Sequence, residues 1–170
     1  MKKTEKKHRL DKNNYLGFQS VSFTGCVFDM NNLFINDMMF EIVQKYLLKE
    51  AEYCKIELMV YLFMPDHFHL ITCGNTPESD PLDFMKRFKQ DTGYWFSQNK
   101  IGEKWQKDFY DHIIRNDEDI KNQVCYILNN PVRKGLVSDW KDYPYKGSTI
   151  YDLNHFIISQ PEGCDYRIFN

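Results

Sequence analysis

The sequence has no long apolar run and no segment typical of a membrane or secreted protein. The longest apolar run, residues 58–64, is too short to span a bilayer and is followed by Pro65 and Asp66. The first nine residues are rich in lysine, but no apolar segment follows them, so they do not form a secretory signal. We therefore expect a cytoplasmic protein that does not enter a membrane.

Cysteine pairs are also missing from the sequence. The cysteines are odd in number and widely spaced, and no CxxC pair occurs. This spacing argues against a disulfide framework and against a zinc knuckle, and it predicts reduced, packed thiols. The five cysteines are Cys26, Cys54, Cys73, Cys125 and Cys164.

An excess of positive charge is absent as well. The net charge of −2 argues against nonspecific DNA binding over the whole surface. Phosphate contacts nevertheless need only a few well-placed cations. The candidates for such contacts are Lys86, Arg87, Lys89, Arg115, Arg133 and Lys134. The first three lie on one predicted helix, and they form either a solvated face of that helix or a DNA-binding face. Arg115 is expected to contact phosphate or a carboxylate.

Length and composition predict one folded domain. The 170 residues are 42% hydrophobic and 16% aromatic, which is enough for one compact core and short for two domains. We expect a flexible basic leader over residues 1–14, a globular domain over 15–148 and a weakly patterned tail over 149–170.

Apolar periodicity predicts alternating strands and helices. Strands are expected over residues 19–27, 55–63 and 67–73, and a strand or irregular hairpin over 104–114. Helices are expected from an Asn36 cap to about residue 52, over 81–97, and from an Asn116 cap to the region before Pro131. Because the strands at 55–63 and 67–73 are too close for a crossover helix, the fold class is α+β with a largely antiparallel sheet.

The sharpest local feature is the pair His67 and His69. Alternate side chains of a strand point to the same face, so both imidazoles should emerge together while Phe68 and Leu70 enter the core. Two neutral imidazoles on one face can bind one divalent metal ion. Two ordinary surface histidines on a half-buried strand are the simpler alternative.

A second pattern lies on the last predicted helix. Tyr126 and Asn130 are four residues apart, hence on one face, beside an apolar stripe that would hold the helix on the sheet. A half-buried tyrosine and a helix-terminal asparagine before Pro131 are common structural uses of these residues. His112, before this helix, is open to a contact with metal ligands or phosphate, or to a polar position on a strand edge.

The order of these motifs along residues 15–148 is more specific than any one of them. The motifs are MPDHFHL at 64–70, WQ at 105–106, Phe109, HIIRN at 112–116, YI at 126–127, NPV at 130–132, GLV at 135–137 and YP at 143–144. This set resembles the HUH endonucleases and, more narrowly, the REP-associated tyrosine transposases, which are relatives of the single-strand transposases of insertion sequences.

The resemblance implies a fold and a chemistry. It implies a ferredoxin-like antiparallel sheet, with His67 and His69 as ligands of Mg²⁺ or Mn²⁺ and Tyr126 as the nucleophile. Asn130 would be the third protein ligand, where related transposases often have glutamine, and an amide oxygen serves either way. The implied reaction is cleavage of single-stranded DNA, near a hairpin, through a 5′-phosphotyrosine. Monomer and homodimer both remain open.

Two other classes of function stay open from the residues alone. One is a binding module that grips structured DNA or RNA without catalysis. The other is a metallohydrolase that uses His67, His69 and His112 to activate water. Activity that survives in Tyr126→Phe would distinguish this second alternative from the tyrosine mechanism.

Overall fold

The computed structural model describes residues 10–115 and 117–153, without the side chains of residues 117–119. The predicted Asn116 cap, the acidic first turn after it, Cys164 and most of the predicted leader and tail therefore lie outside the described residues. The helices and strands in chain order are β1 (Ser20–Cys26), α1 (Asp37–Tyr53), β2 (Ile56–Met64), β3 (His67–Gly74), α2 (Pro81–Gln98), β4 (Tyr110–Ile114), α3 (Asp117–Leu128), α4 (Asn130–Arg133) and β5 (Lys146–Gly147).

The five strands form one sheet in the order β4-β1-β3-β2-β5, and every paired neighbour is antiparallel. The α+β class and the antiparallel sheet are therefore confirmed. Helices α1 and α2 pack on one face of the sheet, and α3 packs on the other against β2 and β4. None of the described helices is both long and apolar enough to cross a membrane.

The sequence signals at the helix ends act as predicted for two helices. The Asn36 side chain accepts a hydrogen bond from the Met39 backbone N–H at 3.0 Å, which caps α1. Asp80 caps α2 in the same way, with Pro81 in the first turn, where a missing N–H costs nothing. These caps explain why both helices begin at the residues where the sequence predicts them to begin.

One local prediction needs correction, and two short elements were not predicted. Only Tyr110–Ile114 of the predicted 104–114 element forms a strand, while Trp105 makes an isolated bridge to Val27. The predicted end of the last long helix before Pro131 is confirmed, because α3 ends at Leu128. The separate short helix α4 then has Pro131 in its first turn, where proline is tolerated. β5, which pairs with β2 at the sheet edge, was not predicted as a strand.

Alternation along β3 separates two cores on the two faces of the sheet. Phe68 and Leu70 are fully buried in the core beneath α1 and α2, whereas Ile71 belongs to the core beneath α3. Phe68 fits because its partner in the register is Gly25, where an added Cβ would lie 2.3 Å from the phenyl ring. The central strand β3 therefore carries a phenylalanine on one face and two histidines on the other.

Candidate functional site

The structure brings His67 and His69 together on the face of the sheet that carries α3. Their ring centroids are 4.9 Å apart, with the ring planes nearly perpendicular. Phe68, between them, is fully buried on the other face. The prediction that both imidazoles emerge on one face is confirmed, and it follows from the period of two along β3.

Each histidine is oriented by a neighbour at its Nδ1 atom. Asp66 Oδ1 lies 2.5 Å from His67 Nδ1, and Thr24 Oγ1 lies 2.9 Å from His69 Nδ1. Thr24 reaches His69 because the two residues are partners in the β1–β3 register. In the part of the chain that the structure describes, neither Nε2 atom has a hydrogen-bond partner. Both rings are therefore set to bind a ligand through Nε2, an arrangement common at metal sites.

His69 is held in its neutral form. The pKa of His69 is lowered to about 3, first by burial and then by repulsion from the positive charges of the nearby His67 and Arg133. A neutral imidazole is the form that binds a metal ion. The environment therefore keeps this nitrogen available as a ligand throughout the physiological pH range.

Tyr126 lies on α3 with its side chain 49% exposed. The Arg133 guanidinium stacks on its ring, 4.0 Å from the centroid, and donates a hydrogen bond of 2.8 Å to the phenol oxygen. The positive charge of Arg133 also lowers the pKa of His69. Arg133 therefore contacts the phenol directly and lies close enough to His69 for its charge to lower the pKa of that residue.

Asn130 is buried at the start of α4, with 5% of its surface exposed. Its Nδ2 atom has no hydrogen-bond partner. The two ends of an amide are exchanged by a half-turn of the side chain, so an oxygen can occupy the position of this nitrogen. A buried amide without a partner is costly to leave unsatisfied, and it suits a ligand that arrives from outside the chain.

The remaining predicted site residues lie elsewhere on the molecule. His112 is exposed on the same face of the sheet, but on the edge strand β4, which β1 separates from β3. Arg115 and Lys134 are exposed, with Lys134 next to Arg133. The predicted role of each in DNA contact stays a prediction.

The three cations of α2 belong to the helix layer opposite the histidines. Arg87 donates to the buried Glu50 at 2.6 Å, and Lys89 donates to three backbone carbonyls, the nearest at 2.7 Å on Gln106. Lys86 is exposed. Arg87 and Lys89 therefore have structural partners, and DNA contact by this group stays a prediction.

The donor set determines what the site can hold. Among the described residues there is no group of three His, Cys, Asp or Glu side chains that could bind a metal ion. The two imidazoles and Asn130, the predicted third ligand, would form a mixed nitrogen and oxygen set, which suits a divalent first-row ion. Sequence analysis did not identify Thr24, because its position opposite His69 depends on the register of β1 against β3. It also did not identify the contact of Asp66 with His67.

Comparison with known proteins gives consistent results. The chain is 28% identical to a protein of Haemophilus influenzae assigned as a REP-associated tyrosine transposase, over 72% of this chain and 76% of the relative. It is also 28% identical to the REP-associated tyrosine transposase of Escherichia coli K12, over 62% of each chain. A solved structure of a REP-associated tyrosine transposase bound to a REP hairpin shares the fold, with a TM-score of 0.70 at 21% identity over 82% of this chain and 81% of that one.

The family model for IS200-like transposases matches residues 26–130, which include the histidine pair, Tyr126 and Asn130. This match covers more than half of the chain. The protein therefore belongs to the IS200-like transposase family, whose members are enzymes.

Proposed function

We propose that this transposase is a metal-dependent endonuclease and strand transferase that cuts single-stranded DNA with Tyr126. The observation that carries the proposal is the pair of imidazoles on one face of the sheet, each with Nδ1 engaged and no partner at Nε2 among the described residues. Arg133, whose charge lowers the pKa of His69, also stacks on the half-exposed Tyr126. A binding module has no need for two histidines that are oriented through Nδ1 on one face of a strand.

His67, His69 and Asn130 are the residues that would hold Mg²⁺ or Mn²⁺. Such an ion, when bound, polarises a nonbridging phosphate oxygen and offsets the negative charge of the transition state. Asp66 and Thr24 contact the imidazoles at Nδ1, so a proton on each Nδ1 would leave Nε2 as the atom that binds the ion. The lowered pKa of His69 removes competition from protons at this position.

Tyr126 supplies the nucleophile. Its phenol oxygen forms a bond to phosphorus while the bond from phosphorus to the 3′ oxygen breaks, and the proton lost by the phenol is balanced by the one gained by the 3′ oxygen. The products are a 5′-phosphotyrosine and a free 3′-hydroxyl. Because the ester bond is conserved, a second 3′-hydroxyl can reverse the step and join strands without ATP. Arg133 holds the ring by stacking and hydrogen bonding, which fixes the oxygen before attack.

We propose a DNA hairpin with an unpaired flank as the substrate. A REP hairpin is the ligand named for the solved relative that shares the fold. Arg133 contacts the proposed nucleophile and the adjacent Lys134 is exposed, and these two cations would contact backbone phosphates.

The test is incubation of labelled hairpin DNA, with single-stranded extensions, in the presence of Mn²⁺. Wild-type protein should form a DNA adduct that survives denaturing electrophoresis. Tyr126→Phe should reduce adduct formation by on the order of 10³-fold or more, because no other group replaces the phenol oxygen.

Tyr94→Phe is the matched control, since Tyr94 is exposed on α2 in the opposite helix layer and should retain the wild-type rate. Cleavage by Tyr126→Phe at the wild-type rate would instead indicate attack by water, and the proposal would be abandoned.

A further inference from the structure

The segment directly after β1 has an unusual backbone. Residues Phe28–Met30 form a single tight turn in which Asp29 and Met30, neither of them glycine, have φ values of 55° and 56°. Left-handed angles are unfavourable for residues with a Cβ atom, and such strain is found most often where function requires it. The turn therefore needs support from its surroundings.

That support comes from backbone hydrogen bonds on both sides of the turn. The Val27 N–H donates to Asp66 O at 2.8 Å, and the Phe28 N–H donates to Lys104 O at 2.7 Å. The Asn31 side chain donates to Glu103 at 2.9 Å. The turn is thus held in one conformation, and one of its anchors is Asp66, the residue that orients His67.

This rigid turn presents apolar side chains to solvent. Phe28 is 42% exposed and Met30 is 49% exposed. The Lys104 ammonium lies 4.4 Å from the Phe28 ring centroid. Among the described residues Lys104 has no ion-pair partner. An exposed aromatic ring with an unpaired cation beside it has the two properties that bind unpaired nucleotides, namely stacking and charge.

The turn lies next to the histidine pair. Cys26 is the partner of His67 in the β1–β3 register, and Thr24 is the partner of His69. Val27 is extended and fully buried, so alternation returns Phe28 to the face that carries the histidines, two residues beyond Cys26. Phe28 is therefore expected on the histidine face, one position further along that face than Cys26, the register partner of His67.

We infer that Phe28, Met30 and Lys104 form a binding platform for an unpaired nucleotide of the DNA strand whose phosphate lies at the histidine pair. The inference rests on the proposed function, because it takes single-stranded DNA as the substrate. Phe28 stacks on a base, Met30 covers the edge of the platform, and Lys104 contacts a phosphate. Stacking tolerates every base, so the platform selects for unpaired strand rather than for sequence.

The test measures binding of full-length protein in EDTA by fluorescence anisotropy, so that cleavage does not contribute. The probes are a labelled DNA hairpin with oligothymidine extensions, the same hairpin with abasic extensions, and the blunt hairpin. Phe28→Ala should weaken binding of the oligothymidine probe about tenfold and leave the abasic and blunt probes unchanged. Lys104→Gln should weaken binding of both extended probes, because each retains its phosphates.

Phe18→Ala is the matched control, since Phe18 is 65% exposed just before β1, at the other end of that strand. It should bind all three probes within twofold of wild type. Phe28→Tyr should retain wild-type affinity, which separates stacking from a folding defect. Equal affinity of Phe28→Ala and wild type for the oligothymidine probe, or an equal loss on the blunt probe, would refute the platform. Failure of the proposed function would appear separately, as cleavage that persists in Tyr126→Phe.

Discussion

The two faces of the sheet differ in what covers them. On one face, α1 and α2 cover a core rich in aromatic rings, in which Phe63, Phe68 and Trp105 make edge-to-face or tilted contacts. On the other face, α3 and the segment after it cover a mainly aliphatic core, and the two histidines lie beside it. The same strand, β3, contributes Phe68 to the first face and His67 and His69 to the second.

Because of this difference, one face of β3 contributes to the stability of the fold and the other face carries the candidate site. A fully covered aromatic face gives a large burial of apolar area and a fixed position for the strand. A partly covered face allows polar groups that are oriented but still accessible. The first face therefore provides the rigid support that the site on the second face requires. Substitutions on the histidine face should therefore reduce activity and leave the fold intact, whereas substitutions on the aromatic face should reduce the free energy of unfolding.

The largest effect is expected on activity from the histidine face. His67→Ala combined with His69→Ala should reduce adduct formation by on the order of 10³-fold or more, because the proposed ligands are lost. The circular dichroism spectrum should remain that of the wild type, since the histidines lie beside the apolar core and not within it. A spectrum of an unfolded chain would mean that the pair serves the fold.

The next effect is expected on stability from the aromatic face. Phe68→Ala should lower the free energy of unfolding by about 3–5 kcal/mol, because it leaves a cavity where the ring is fully buried. Urea denaturation gives the value, and the exposed Phe18→Ala should change it by no more than about 0.5 kcal/mol. A loss of less than about 1 kcal/mol in Phe68→Ala would show that this core collapses around the deletion.

A smaller effect is expected where β1 orients His69. Thr24→Val keeps the shape of the side chain but removes the hydroxyl at His69 Nδ1, and it should weaken Mn²⁺ binding about 10- to 100-fold in calorimetric titration. Thr24→Ser should restore most of the affinity. Ser22→Ala, on the same strand and face, is the control and should bind Mn²⁺ as the wild type does. Unchanged affinity in Thr24→Val would remove Thr24 from the site.

The smallest effect is expected on the pH dependence of stability. His69 has an ordinary pKa near 6.5 in the unfolded chain and a pKa of about 3 in the folded protein. Between these values the unfolded chain binds the extra proton, so stability falls as the pH decreases from about 6.5, by at most about 1.4 kcal/mol per pH unit. His69→Gln should flatten this slope in denaturation curves, because it removes the titrating group. Identical slopes in His69→Gln and wild type would contradict the lowered pKa.

Local patterns predicted the elements that carry strong local signals. Asn36 caps α1 as expected, and the alternation around Phe68 places the histidines on one face. The segment 104–114 was predicted less well, because Trp105 is buried by a long-range contact, its indole N–H donating to Thr92 on α2 at 2.8 Å. β5 was not predicted as a strand, because two residues are too few for a periodicity and pair only where β2 offers an edge.

The site was also predicted only in part, because local motifs can be identified in the sequence and long-range contacts cannot. His67, His69, Tyr126 and Asn130 stand in motifs whose order along the chain is readable, and that order also indicated the family that the comparison confirmed. Their supporting contacts are not readable in this way. Thr24 meets His69 across 45 positions of sequence, and the contact of Arg133 with Tyr126 requires α3 and α4 to take their observed directions.

The sequence by itself therefore determined the spacing of chemical groups along each strand and helix, because that spacing depends only on the periods of two and 3.6 residues. Only the tertiary structure decided which groups face one another across strands. That outcome depends on the register of β1 against β3 and on the burial that lowers the pKa of His69, and both arise from contacts between residues far apart in the chain.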